Sequence, residues 1–147
     1  MKTEIISDIK EMKDFANSYI RNLKKEENEA IIIALFGNLG SGKTTFTQRI
    51  AQIFGIQEYV TSPTFVIQKR YKIHNSQGLG FETLIHIDAY RLDSEEELLD
   101  LGWEKTSKDP KNIIFIEWPE KIEGVLPKDT KKIYFKFIDE NKREIRF

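Results

Sequence analysis

The 147-residue sequence contains no cysteine. Disulfides, zinc–thiolate sites and thiol nucleophiles are therefore excluded, and the composition fits a reducing compartment. Neither sign of charge dominates: 23 Lys and Arg stand against 24 Asp and Glu, a formal net charge of −1. No global field draws such a chain to nucleic acid or to an anionic membrane. No apolar run reaches the ~18 residues of a transmembrane helix. The start, MKTEIISDIK, lacks the apolar stretch of a secretory signal. Internal repeats and low-complexity tracts are also missing. The chain reads as cytoplasmic and soluble, without membrane contact. What is there is ordinary for a globular protein: 39% hydrophobic and 32% charged residues, which argues against wholesale disorder. The length suits one compact domain over residues 1–147.

The pattern along the chain alternates strands with helices. Residues 3–6 fit a short strand. Asp8 has the character of a helix N-cap, with Glu11 three residues later completing a capping box. Ile9, Met12, Phe15, Ala16, Tyr19, Ile20 and Leu23 follow at helical spacing. Residues 24–29 make a charged turn. Ala30-Ile-Ile-Ile-Ala-Leu-Phe36 is a continuous apolar run, as in a strand buried on both faces. A Gly-rich loop and a helix over 43–54 come next, with Gly55 as terminator. Residues 60–73 begin at a Ser-Pro break and read as a strand, followed by a turn over 74–78. Further strands are expected over 81–87, ending at Asp88, and over 113–116, ending at Glu117. Ser94 can cap a short acidic helix over 95–101, stopped by Gly102. Residues 133–138 and 144–147 read as a terminal hairpin. The expected fold is α/β, with antiparallel additions at the edge of the sheet.

The loop Gly37, Asn38, Leu39, Gly40, Ser41, Gly42, Lys43, Thr44 fits G-x-x-x-x-G-K-[ST] at every fixed position. The glycines permit backbone angles that turn successive N–H groups toward one point. Those groups and the N-terminus of the next helix form an anion site. Lys43 supplies a point charge for β- and γ-phosphates, the Thr44 hydroxyl suits Mg²⁺, and Thr45 is placed to reach the α-phosphate. The loop lies between an apolar strand and a helix, the setting that this mechanism requires.

Such a loop works with an acid at the end of a neighbouring strand, which holds Mg²⁺ directly or through water. Glu117 and Asp88 both end strands, and ligands in open α/β sheets bind at strand carboxyl ends. Both are assigned to catalysis; Thr44 and Glu117 are the candidate metal ligands, and the sequence does not divide ligand from base. The segment Thr61-Ser-Pro-Thr-Phe65 carries hydroxyls at Ser62 and Thr64 suited to sensing a γ-phosphate. Arg91 is either a phosphate contact or a surface cation. Trp118 is either a core residue or a shield for the site. His86, on an apolar strand, reads as a satisfied core histidine, and the basic residues after Lys128, Arg143 among them, read as a solvated face.

Four segments in order carry a family resemblance: Asn38-Leu-Gly-Ser-Gly-Lys-Thr-Thr45, Ser62-Pro-Thr-Phe65, His86-Ile-Asp-Ala-Tyr-Arg-Leu92 and Ile116-Glu-Trp-Pro-Glu120. Together they resemble the TsaE (YjeE) family, the ATPase of bacterial tRNA threonylcarbamoyladenosine biosynthesis. The resemblance spans nearly the whole chain. It implies a P-loop NTPase fold, with a central parallel sheet, flanking antiparallel strands and helices on both faces. It implies ATP and Mg²⁺ as ligands, served by Lys43, Thr44 and Glu117, and a catalytic motif at Asp88. It implies TsaB and TsaD as partners, in the threonylcarbamoyl modification of adenosine 37 in tRNAs reading codons that begin with A, with tRNA met only through the complex. Asn38 and Ser41 depart from the usual Asp and Ala of the family, at positions that make their main contacts through backbone. The alternatives are a small P-loop kinase, for which no Arg-rich lid is present, and a GTPase-like switch, whose guanine motif has only the near match Asn141-Lys-Arg-Glu144 in the terminal hairpin.

Overall fold

The computed structural model describes residues 1–63 and 66–147. Thr64 and Phe65, part of the hydroxyl-bearing segment after Val60, lie outside the described residues. The apolar run after Ala30 forms β2 (Ile31–Phe36), and its composition is explained by where its side chains go. Ile31, Ile33 and Leu35 enter one core with Phe46 and Ile50, while Ile32 enters a second with Ile85, Ile114 and Leu98. A strand buried on both faces has no position left for a polar side chain.

β2 lies between β5 (Asn112–Glu117) and β6 (Lys131–Phe137), parallel to both, and β4 (Thr83–Asp88) pairs parallel with β5. β3 (Gln68–Lys72) closes one edge antiparallel to β4. At the other edge β7 (Arg143–Arg146) runs antiparallel to β6, and β1 (Thr3–Ile6) antiparallel to β7. The seven-stranded order is β1-β7-β6-β2-β5-β4-β3. One face carries α1 (Ile9–Arg21) and α2 (Lys43–Ile53); the other carries α3 (Glu95–Asp100), α4 (Trp103–Ser107) and a 3₁₀ segment, Pro119–Val125. This is the expected sheet, with parallel centre, antiparallel edges and helices on both sides. Among the described residues no helix is long and apolar enough to cross a membrane.

Asp8 caps α1, its Oδ1 accepting the Glu11 N–H at 2.7 Å. The Glu11 carboxylate accepts from the N–H of Ser7, one residue before the cap, at 2.6 Å. Met12, Phe15, Ala16 and Ile20 bury the helix face as their spacing requires, but Ile9 is 64% exposed. Three further expectations need correction. The strand expected over 60–73 is only Gln68–Lys72; the chain at 60–63 is irregular, because Pro63 has no N–H for a ladder. Instead Val60 is tied to α2, its carbonyl accepting from Gln48 Nε2 at 2.8 Å. Ser94 sits at the N-cap position of α3 without a side-chain capping bond. The helix α4 and the 3₁₀ segment are additional; Trp103 joins them, its Nε1 donating to the Val125 carbonyl at 3.1 Å.

Candidate active site

The loop between β2 and α2 is built at the carboxyl end of the sheet. Gly37 adopts a φ of 145° and Gly42, the N-cap of α2, a φ of 110°. A Cβ at Gly37 would lie 2.6 Å from the Phe135 carbonyl oxygen, so only glycine lets the loop leave β2 against β6. The helix behind the loop is fixed by its aromatic face. Phe46 is fully buried, its ring within 5.4 Å of Phe15 and 5.7 Å of Phe135.

Lys43, the first residue of α2, is buried. Its ammonium donates to the Gly37 carbonyl and lies 4.1 Å from the centre of the Trp118 ring. Burial holds the Lys43 ammonium below the ordinary lysine range, and the carboxylates of Glu117, Glu120 and Asp88 work against that shift. A buried cation aimed at a cleft, with acids near but no ion pair of its own among the described residues, has charge to offer an anion. Trp118 is both of the things expected as alternatives: half-buried beside the second core, and a wall over Lys43. Its φ of 57° places a bulky residue in the left-handed region, directly before Pro119. Tyr90 packs beside it at 5.1 Å.

Glu117 and Asp88 face each other across the β4–β5 ladder and are both buried. Period-two alternation explains the placement. Ile85, Ile87, Ile114 and Ile116 point into one core, so His86, Asp88 and Glu117 point to the opposite side, where α2 lies. The Thr44 hydroxyl donates to Glu117, 3.2 Å from Oε1 and 3.3 Å from Oε2. His86, fully buried, lies with Nε2 2.7 Å from Glu117 Oε2. Burial alone would raise the Glu117 carboxyl; the His86 hydrogen bond, then the charges of His86 and Lys43 and the Thr44 hydroxyl, outweigh it and hold the group below the usual glutamate range. Asp88 Oδ2 accepts from Ser62 Oγ at 2.8 Å, and Oδ1 accepts from the Tyr90 N–H at 3.0 Å. Asp88 thus links the segment at Ser62 to the strand end beside Glu117.

A cleft of about 1030 Å³ joins these parts. Its lining includes Leu39 to Thr45 of the loop, then Ser62, Asp88, Glu117 and Trp118. It continues past the loop to Ile9 and Met12 of α1 and to Asn141 and Arg143 of the β6–β7 hairpin. The sequence places Arg143 on a solvated basic face. Its Nε instead donates to the Gly40 carbonyl at 3.1 Å, and its Nη1 donates to the carbonyls of Asp139 and Lys142. The guanidinium straps the hairpin tip to the loop. Arg91 is exposed, and the basic side chains lining the cleft among the described residues are Lys10, Lys43 and Arg143. His86 is the buried histidine that its apolar strand implies, and a period-two count from Asp88 puts it on the same face as the acids, where Nε2 reaches Glu117.

The donor set suits Mg²⁺. Among the described residues no three His, Cys, Asp or Glu side chains are grouped to hold a metal alone. One carboxylate and one hydroxyl, Glu117 and Thr44, are hard oxygen donors in contact with each other beside the loop. Mg²⁺ is commonly held in this way, by one or two protein oxygens together with substrate phosphates and water.

Comparison with known proteins agrees with this architecture. The family described as "Threonylcarbamoyl adenosine biosynthesis protein TsaE" matches residues 6–145. A tRNA threonylcarbamoyladenosine biosynthesis protein TsaE from Rickettsia typhi is 37% identical over 135 residues, covering 91% of this chain and 85% of the relative. The protein of that description from Bacillus subtilis is 35% identical over 139 residues, covering 86% and 82%. The crystal structure of Bacillus subtilis YdiB superposes with a TM-score of 0.69 at 28% identity, covering 98% of this chain and 82% of that one.

Proposed function

The chain belongs to the TsaE family, whose role is in tRNA threonylcarbamoyladenosine biosynthesis, and on that basis we propose that it is the Mg²⁺-dependent ATPase that supports TsaB and TsaD in modifying adenosine 37 of tRNAs reading codons that begin with A. The observation that carries this reading is the contact of Thr44 with Glu117 beside the buried Lys43. Three groups distant in sequence meet there with the charges and donors that a nucleoside triphosphate and its metal require.

In this reading the backbone of the loop from Gly37 and the N-terminus of α2 receive the phosphates. Lys43 exchanges part of its contact with the Gly37 carbonyl for a phosphate oxygen. Thr44 and Glu117, whose oxygens now face each other, would hold the metal, and Glu117 or Asp88 would orient the attacking water. Mg²⁺, when bound by Thr44 and Glu117, would supply positive charge against that developing on the phosphates. The apolar surfaces of Ile9 and Met12 leave room for the nucleoside at the far end of the cleft.

The test is a calorimetric titration of ATP with and without Mg²⁺, on the wild type and on Lys43→Ala. Losing a charge-assisted contact costs about 1.5–3 kcal/mol, tenfold or more in affinity. Equal ATP affinity in a folded Lys43→Ala variant removes the site assignment. A parallel GTP titration separates the GTPase alternative.

A further inference from the structure

The geometry points to His86 as a positioning residue that fixes the Glu117 carboxylate for its metal, and so sets the Mg²⁺ requirement and the turnover of the site. This rests on the reading of Glu117 as a Mg²⁺ ligand given above.

The argument begins with a residue that has no reason to be polar. His86 lies at the centre of β4, between Ile85 and Ile87, and is fully buried. Its neighbour at the same register on β5 is Phe115, and the preceding residue on its face is Leu84; both belong to the core packed under α2. An aliphatic side chain would complete that core. The imidazole is also poorly served there: Nδ1 has no hydrogen-bond partner among the described residues. A half-satisfied buried ring is costly, so its position follows from the one bond that it makes, 2.7 Å from Nε2 to Glu117 Oε2.

That bond reaches up the sheet. In the β4–β5 ladder the residue level with Glu117 is Asp88, and His86 lies one layer deeper on the same face. The imidazole therefore meets the carboxylate from below, the side away from the cleft. An ionised Glu117 only accepts, so Nε2 carries the proton and donates. Among the described residues the other hydrogen-bond partner of this carboxylate is the Thr44 hydroxyl, which is itself a metal ligand in the proposed site and has to turn away to serve as one. Once it does, His86 is the donor that still pins the rotamer of Glu117. Imidazole and carboxylate exchange the roles that they have in many metal sites, where an outer carboxylate orients a ligating histidine.

The experiment compares His86→Leu, which removes the donor, with His86→Gln, whose amide places an N–H near the position of Nε2. Three quantities are read: ATP affinity in EDTA, the gain in affinity on adding Mg²⁺, and kcat. His86→Leu is expected to keep the EDTA affinity of the wild type while kcat and the Mg²⁺ gain fall by about 10- to 100-fold, the usual effect of losing an outer partner of a metal ligand. His86→Gln is expected to restore most of both. A folded His86→Leu variant with wild-type kcat and Mg²⁺ gain overturns the inference, and so does a loss of affinity that is the same in EDTA as in Mg²⁺. A further readout does not depend on ATP. ¹⁵N spectra of the imidazole should show the Nε2-protonated tautomer in the wild type, with an Nε2–H resonance that moves in Glu117→Gln. An Nδ1-protonated ring, or a resonance blind to Glu117→Gln, overturns the inference even where His86→Leu does not fold. If the wild type neither binds nor hydrolyses Mg-ATP, the proposed function falls, and the spectra still decide whether His86 holds Glu117.

Discussion

Ser41 sits in the Gly-rich loop with its hydroxyl turned away from solvent and, among the described residues, without a hydrogen-bond partner. An unpaired buried hydroxyl is a net cost, so Ser41→Ala is expected to raise the unfolding free energy by about 1 kcal/mol. Urea unfolding with an unchanged slope would show it; a loss of stability would mean that the hydroxyl is bonded. The acids make a different prediction. In the proposed function the ground-state phosphate contacts would come from backbone N–H groups and Lys43, while Glu117 and Asp88 would act on metal and water. Glu117→Ala and Asp88→Ala are therefore expected to depress hydrolysis more than ATP binding, and normal hydrolysis by both variants would contradict the strand-end assignment. The residues that could be read directly from the sequence are those whose chemistry is local. Lys43 and Thr44 are defined by the loop around them, and Glu117 and Asp88 by the strands that they end. Arg143 was not legible, because its contact with Gly40 joins residues on opposite sides of β6. Only the pairing of the hairpin with the sheet brings them together, and no local pattern encodes it.

At the scale of the element, α2 does two jobs with one face. Its first residues line the cleft, and Phe46, Ile50 and Ala51 bury its underside. Phe46→Ala is expected to cost about 3–5 kcal/mol, which chemical denaturation would measure, because the ring packs against Phe15, Tyr19, Phe115 and Phe135 together. A cost below about 1 kcal/mol would mean that the site collapses around the cavity. The cap of α1 is a smaller matter: Asp8→Ala forfeits the bond to the Glu11 N–H and should cost about 1 kcal/mol. Strongly patterned elements were legible, and weakly patterned ones were not. β2 and β5 are apolar runs, α1 has a clear stripe, and the β6–β7 hairpin alternates. α4 and the 3₁₀ segment have five and seven residues, too short for a period to emerge, and they exist because Trp103 and Ile122 close the second core. The strand β3 is shorter than the apolar residues of 60–73 suggest, because at Pro63 a ladder has no donor to continue.

On the scale of the whole molecule, the unresolved need is for the group that completes the charge stabilisation. Related P-loop proteins gain about 10³–10⁵ in rate from an arginine finger. Among the described residues lining the cleft, the one arginine is Arg143, and it is committed to the carbonyls of Gly40, Asp139 and Lys142. Such a guanidinium acts as a strap and is not available to move onto a transferring phosphate. The isolated chain is therefore expected to be a slow ATPase, and its useful turnover to appear with TsaB and TsaD. Two observations support a partner at this face. Leu39 in the loop is 92% exposed and Tyr90 is 53% exposed, so apolar surface borders the cleft on both sides. The bond from Ser62 to Asp88 ties the segment after Val60 to the strand end beside Glu117, which gives occupancy of the site a route to the surface around it. A partner that reads that surface would bind differently to the ATP and ADP states, and by reciprocity its binding would alter nucleotide affinity by the same factor. The measurement is ATP turnover with and without purified TsaB and TsaD, followed by complex formation in ATP, in ADP and without nucleotide. Stimulated turnover and an affinity that changes with nucleotide are the expected results. Fast hydrolysis by the chain alone, or partner binding that ignores the nucleotide, would show that the site is complete in itself and that its energy is not passed on through this face.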